Sequence, residues 1–209
     1  MVKNDLNDKQ IQILEVAEKL FAEKGFDGTS IRDISKVAKI NIAMVSYYFG
    51  SKEKLLESLV LFKTSGLKEQ LINLIEENLE PVAKINKLIT LYINRINCNR
   101  GIYRILHFEL ASKKRVLELP SFSEIKKSNL KSLELIIKEG QAKGVFRKDV
   151  IIPLITPTIL GTYFHFQMNK PFFEDILNLK TEESYNTYIR TDLTKHIQQT
   201  IKALLVYEN

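Results

Sequence analysis

Between Ile42 and Phe49 the chain reads Ile-Ala-Met-Val-Ser-Tyr-Tyr-Phe, with no charge in it. Wound as a helix, the stretch turns Val45 and Phe49 to one side and leaves Ala43, Met44, Ser46, Tyr47 and Tyr48 on the other. Two adjacent tyrosines and a methionine without a charge suit a contact surface better than a solvated one. A DNA major groove admits a helix of this width, and its base edges offer hydrogen-bond partners and thymine methyls. Phosphate-binding cations then belong beside the helix. Arg32, Lys36, Lys39, Lys52 and Lys54 flank it against Asp33 and Glu53, a local balance of +3. The same residues also fit a helical hairpin whose tyrosines pack on a neighbouring helix. Turned outward, they fit a helical protein-interaction module that uses the Tyr47–Tyr48 face. Salt-dependent binding to random duplex DNA separates these readings.

The elements around this helix must hold its angle. A helix from about Ser30 to Val37 precedes it, capped by Thr29 or Ser30, with Asp33 placed for a capping box. Ile31, Ile34 and Ala38 make its apolar stripe, Ala38 to Asn41 is the turn, and Asn41 caps the next helix. Upstream, Asp8 to Lys24 reads as a helix with Ile11, Leu14, Ala17, Leu20 and Phe21 inward. Gly25 reads as a left-handed stop, with Phe26 folding back onto the helix end. After Gly50 a long helix runs from Ser51 to about Asn78, with a possible bend at Ser65-Gly66. It is either a rod that carries movement between two sites or a plain domain linker.

The stretch from Ile11 to Leu56, centred on LFAEKGFDGTSIRDISKVAKINIAMVSYYFGSKEKLL, resembles the N-terminal DNA-binding domain of the TetR/AcrR family of transcriptional regulators. The resemblance implies a phosphate contact for Arg32 and groove-facing roles for Ile42, Ala43, Met44, Tyr47 and Tyr48, beside the cap Asn41. It implies that Lys52, at the start of the fourth helix, holds a phosphate. The chain departs from the family pattern at two positions. Lys39 stands where many members have glycine, which puts the turn under strain or calls for a different cap. Ser46 stands where many have tyrosine, which moves a phosphate contact to Tyr47.

The rest of the chain reads as helical throughout. The fold class is all-α with about nine helices: a helix-turn-helix domain over 1–52 and a helical ligand-binding and dimerisation domain over 53–209. Pro157 is expected to kink or delay a helix in the apolar stretch from Asp149 to Met168, and residues 169–180 to form an irregular loop. Lys113-Lys114-Arg115 reads as a solvated helix end. The last helix runs from about Thr181 to Val206. The last two long helices carry more apolar surface than one bundle needs, and in the family such a pair builds the interface of a homodimer. Helix-turn-helix dimers address half-sites whole turns apart, roughly 34–36 Å per turn.

Other chemistry is thin. His107, His165 and His196 lack a second histidine or a cysteine at metal spacing, and no phosphate loop or nucleophile elbow occurs. An enzyme, a metal and a cofactor are therefore not expected. Tyr92, Tyr103, Phe108, Phe122, Tyr163, Phe164 and Phe166, with His107, His165 and Gln167 as polar anchors, either pack tightly or line an apolar cavity. The resemblance favours the cavity and a small-molecule inducer of unknown identity. It implies a repressor that leaves a palindromic double-stranded operator when an apolar or aromatic ligand binds.

The 209 residues carry a formal net charge of +6, but residues 1–60 hold nine basic and nine acidic side chains. The local +3 is therefore better evidence for a polyanion partner than the total. One cysteine, Cys98, precludes an intrachain disulfide and fits a cytoplasmic location. No apolar run suggests a signal segment or a membrane span.

Overall fold

The computed structural model describes residues 6–64, 66–112 and 120–207. Contacts gather into two compact units, Met1–Gly66 with Cys98–Lys126 and Leu67–Asn97 with Lys127–Asn209. Among the described residues there is no strand. The Lys113-Lys114-Arg115 run lies outside the described residues.

In the first unit, α1 (Asp8–Lys24) opens with a capping box in which Asn7 and Gln10 satisfy each other's amides. Its stripe Ile13, Leu14, Ala17, Leu20 and Phe21 is buried. Gly25 ends the helix at φ 76° and ψ 167°, a positive φ but not the left-handed helical stop expected from the sequence. Phe26 does fold back, its ring 5.2 Å from that of Phe21. Thr29 donates its hydroxyl to the carbonyls of Leu20 and Gly25, which leaves Ser30 to cap α2 (Ile31–Ala38) in a box with Asp33.

Then come α3 (Ile42–Phe49), capped by Asn41, and α4 (Lys52–Thr64). The unit also takes in α7 (Arg100–Ser112), whose Ile102, Ile105 and Leu106 join Ile13, Phe21, Val45, Phe49, Leu55 and Leu59 in one core. Glu18 on α1 anchors this helix. Its carboxylate accepts from the Ile102 amide in the first turn of α7 at 3.0 Å and from Lys63 on α4 at 2.8 Å.

In the second unit, α5 spans Gly66–Glu76, and the bend expected at Ser65-Gly66 falls on a position outside the described residues. Pro81 opens α6 (Pro81–Cys98), at a position where a missing N–H costs nothing. Buried Lys84 donates to the Ile75 carbonyl near the end of α5 and to Glu139 on α8 (Pro120–Ala142), both at 2.8 Å. Gly140 is needed where it stands, because a Cβ there would lie 2.1 Å from the buried Phe146 ring.

A 3-10 turn, Ile152–Leu154, leads into α9 (Ile155–Met168). Pro157 falls in the first turn of α9, so the helix is delayed rather than kinked. The expected loop over 169–180 is corrected in part: Lys170–Ile176 is a helix, α10, with Pro171 in its first turn. The last helix is α11 (Glu182–Tyr188) and α12 (Thr194–Leu205), joined by a π-helical stretch at Ile189–Leu193. Thr194 donates its hydroxyl to the Ile189 carbonyl there.

Candidate nucleic-acid interface

The turn between α2 and α3 sets the face. The Ile40 amide reaches the Ser35 carbonyl and the Lys39 amide reaches the Lys36 carbonyl, the two bonds of a Schellman ending. That ending needs a left-handed residue, and Lys39 takes it at φ 52° and ψ 42°. Of the two outcomes open from the sequence, the strained lysine is the one present. Gln12 on α1 closes the helix end by donating to the Ala38 carbonyl. Across the box, hydrogen bonds from Ser30 hold the Asp33 carboxyl below its ordinary value, so it stays charged at the positive end of α2.

On α3 only Val45 and Phe49 are buried. Ile42 is 42% exposed, Met44 37% and Tyr47 84%, and Asn41, Ala43 and Ser46 are exposed with them. Tyr48 behaves differently from Tyr47. It is half-buried against the unit's core, its ring edge-on to Tyr47 at 5.5 Å and to Phe49 at 6.4 Å. Arg32, Lys36, Lys39 and Lys54 are exposed around the face.

Lys52 is engaged within the unit. Its ammonium donates to the carbonyls of Phe26 and Thr29, each at 3.0 Å, and sits 4.3 Å over the Phe26 ring. It ties the α1–α2 connection to the start of α4, a role the sequence did not suggest. Two of its three donors are occupied, which leaves one for a phosphate oxygen.

The aromatic residues assigned to a cavity divide between the units. Tyr103 and Phe122 pack against the first unit's core, while His107 and Phe108 are exposed there. Phe108 edges a hollow of about 270 Å³ with Phe21, Phe26 and Arg104, whose guanidinium donates to the Ala22 carbonyl. Tyr92, Tyr163 and Phe166 are buried in the second unit, with Phe164 and Gln167 half-buried. Tyr163 and Gln167 both donate to the Asn97 side-chain oxygen, at 3.1 and 3.4 Å, so their polar atoms serve the fold. The expectation that all these rings share one core is therefore corrected. Gly161 opens no space inside, since it is exposed on α9.

Phe166 does line a larger cavity of about 510 Å³, with Thr162, His165, Phe173, Leu177, Tyr188, Leu193 and His196. Phe173 and Leu177 escaped the sequence reading because a loop was expected there. The Lys-Pro-Phe-Phe start, with proline suited to a first turn, was the signal for α10.

Residues 13–59 match the family model described as bacterial regulatory proteins of the tetR family, and residues 81–201 match the tetracycline repressor-like C-terminal domain. The chain belongs to the TetR family of DNA-binding transcriptional regulators. As a TetR-family regulator it is similar to the transcriptional repressor NicS of Pseudomonas putida, 30% identical over 167 residues that cover 76% of this chain and 75% of NicS.

Two solved structures resemble it along nearly the whole chain. The fatty acid degradation regulator FadR of Bacillus halodurans superposes with a TM-score of 0.76 at 21% identity, covering 95% of this chain and 96% of that one. FadR of Bacillus subtilis, solved in complex with stearoyl-CoA, gives a TM-score of 0.73 at 22% identity, covering 92% and 97%. At those identities the likeness shows the fold alone. Among the described residues no helix is long and apolar enough to cross a membrane.

Proposed function

We propose that this regulator is a homodimeric, cytoplasmic repressor without enzymatic activity that binds a palindromic operator and releases it when a small apolar or aromatic ligand binds. Residues 1–52 read the DNA and residues 53–209 hold the ligand and the partner copy. Ile42, Ala43, Met44, Tyr47 and Tyr48 meet the groove, Asn41 fixes the start of their helix, and Arg32 and Lys52 hold phosphates. The observation that carries this reading is the uncharged, exposed face of α3 ringed by exposed cations.

An exposed stripe supports the dimer. Ile151, Leu154 and Gly161 are exposed, with half-buried Thr158 between them, and the four recur at spacings of three and four along the approach to α9 and its first half. No neighbouring atom lies within 4 Å of where a Cβ on Gly161 would stand, which leaves room for a second copy to approach. The ligand belongs to the second unit, where Phe166 and His165 line a cavity. The stearoyl-CoA held by the Bacillus subtilis FadR supports an apolar ligand in this fold.

The test is site selection from random duplexes, followed by gel shifts on the selected site. Tyr47→Ala should weaken binding by roughly 1–3 kcal/mol and blur sequence preference. Because Tyr47 is 84% exposed, the fold should melt unchanged. No enriched site, or unchanged affinity in the variant, removes the assignment of α3 to the groove.

A further inference from the structure

The second unit holds a hollow that the helix pattern does not require. Its walls come from three elements: Thr162, His165 and Phe166 on α9, Phe173 and Leu177 on and just after α10, and Tyr188, Leu193 and His196 around the π-helical stretch. At about 510 Å³ it falls within the size range of small-molecule sites, roughly 300–1,000 Å³. Three features give it a chemical character.

The first is a stack of rings. Phe166 lies 4.6 Å from Phe173 at 29°, 5.1 Å from Tyr185 at 23° and 5.6 Å from Tyr188 at 13°. Near-parallel rings make flat walls, which accept a flat guest by continuing the stack.

The second is the polar set. Of the described lining groups, Thr162, His165, Tyr188 and His196 carry polar atoms. The Thr162 hydroxyl is already donated to the Thr158 carbonyl, so the two imidazoles and the Tyr188 hydroxyl are left to meet a ligand. Among the described residues no carboxylate and no ammonium lines the hollow. Asp192 lines a different one with Thr181, Glu183 and Ser184. A pair of imidazole N–H donors without a competing carboxylate suits an anionic acceptor.

The third is the π-helical stretch itself. It resets the rotation of the last helix between Tyr188 and Thr194, and residues on both sides of it line the hollow. Such bulges cost helix stability and recur at functional sites.

We infer that this hollow binds a planar aromatic carboxylate, its rings against Phe166, Phe173 and Tyr188 and its carboxylate on His165 and His196. The inference rests on the ligand-responsive reading above and gives it a site and a ligand class.

The test titrates 2-naphthoate, whose fluorescence is unobscured because the chain has no tryptophan. Full-length protein should bind it saturably, one per chain. Phe173→Ala should weaken binding at least tenfold, while Ile176→Ala, on the same helix outside the lining, should change it less than twofold. The double variant His165→Ala/His196→Ala should weaken 2-naphthoate at least tenfold and its neutral methyl ester less than threefold. Thr162→Phe fills the hollow and should block both compounds, which keeps the test decisive if Phe173→Ala does not fold.

Absence of saturable binding overturns the site, and so does indifference to both Phe173→Ala and Thr162→Phe. Equal losses for acid and ester in the histidine variant overturn the carboxylate. Operator release is measured separately. Binding without release would sink the repressor-release reading while supporting this site.

Discussion

Lys52 offers the sharpest test of the first unit, because one ammonium serves two roles. Lys52→Ala removes two hydrogen bonds, to the Phe26 and Thr29 carbonyls, and the contact over the Phe26 ring. A hydrogen bond from a charged donor is worth about 1.5–3 kcal/mol. Lys52 is half-exposed, so water recovers a large part of both bonds in the variant. The contact over the ring adds about 0.5–1 kcal/mol. The net loss is then about 1–2 kcal/mol, or about 2–8 °C of melting temperature for a chain of this size. Thermal unfolding followed by circular dichroism reads it. A lysine that only held a phosphate would leave the free protein's melting temperature unchanged, so a shift below about 1 °C refutes the bridge. The second role is read from the salt dependence of operator binding. Its slope should fall by about 0.9 if the remaining donor and the charge meet one phosphate.

Two other perturbations probe separate links. Lys39→Gly relieves a left-handed lysine, a strain of about 1–2 kcal/mol partly offset by the entropy of glycine, so the melting temperature should rise. The same change removes a cation beside the groove-facing helix, so affinity for random duplex should fall, opposite in sign to the stability change. In the second unit, hydrogen bonds from Lys143 and then Lys84 hold the Glu139 carboxyl below its ordinary value. A depressed folded value means a contribution that is full above the unfolded value, about 4.3, and fades as pH falls through the lower folded one. Stability should therefore fall below about pH 4.3 by a smaller amount in Glu139→Gln than in the unchanged protein, and coincident acid curves would contradict it.

How much could be read from the residues depended on whether a signal was local. The caps were legible because a capping box is written within four positions, and Ser30 with Asp33 does what the spacing implies. The split of α3 into Val45 and Phe49 inside and Tyr47 outside followed from helical period alone. Tyr48 did not, because its half-burial depends on the core of the unit, which five helices supply. The bridge made by Lys52 was not legible, because carbonyls 23 and 26 residues away are invisible to spacing. The cavity rings failed for the same reason. Tyr103 and Tyr163 have equal claims as sequence, and only long-range contacts assign one to each unit. The last helix reads as one continuous stripe, since a π-helical stretch leaves the apolar residues nearly in register and shows only in the backbone.

The placement of α7 bears on how such a regulator can be switched. This helix lies some fifty residues beyond α3 in sequence, yet it buries Ile102, Ile105 and Leu106 in the core on which α3 rests. Its first turn is fixed by a carboxylate from α1 that also holds α4. A ligand shifts DNA affinity only by as much as its own affinity differs between the two arrangements. For an effect to reach α3, some element of the first unit must therefore have two arrangements that the ligand tells apart. Glu18 is where three helices of the unit meet through side-chain bonds. While both of its bonds hold, α1, α4 and the start of α7 are tied at one point, and a displacement of α7 is resisted by the other two rather than absorbed in a loose joint.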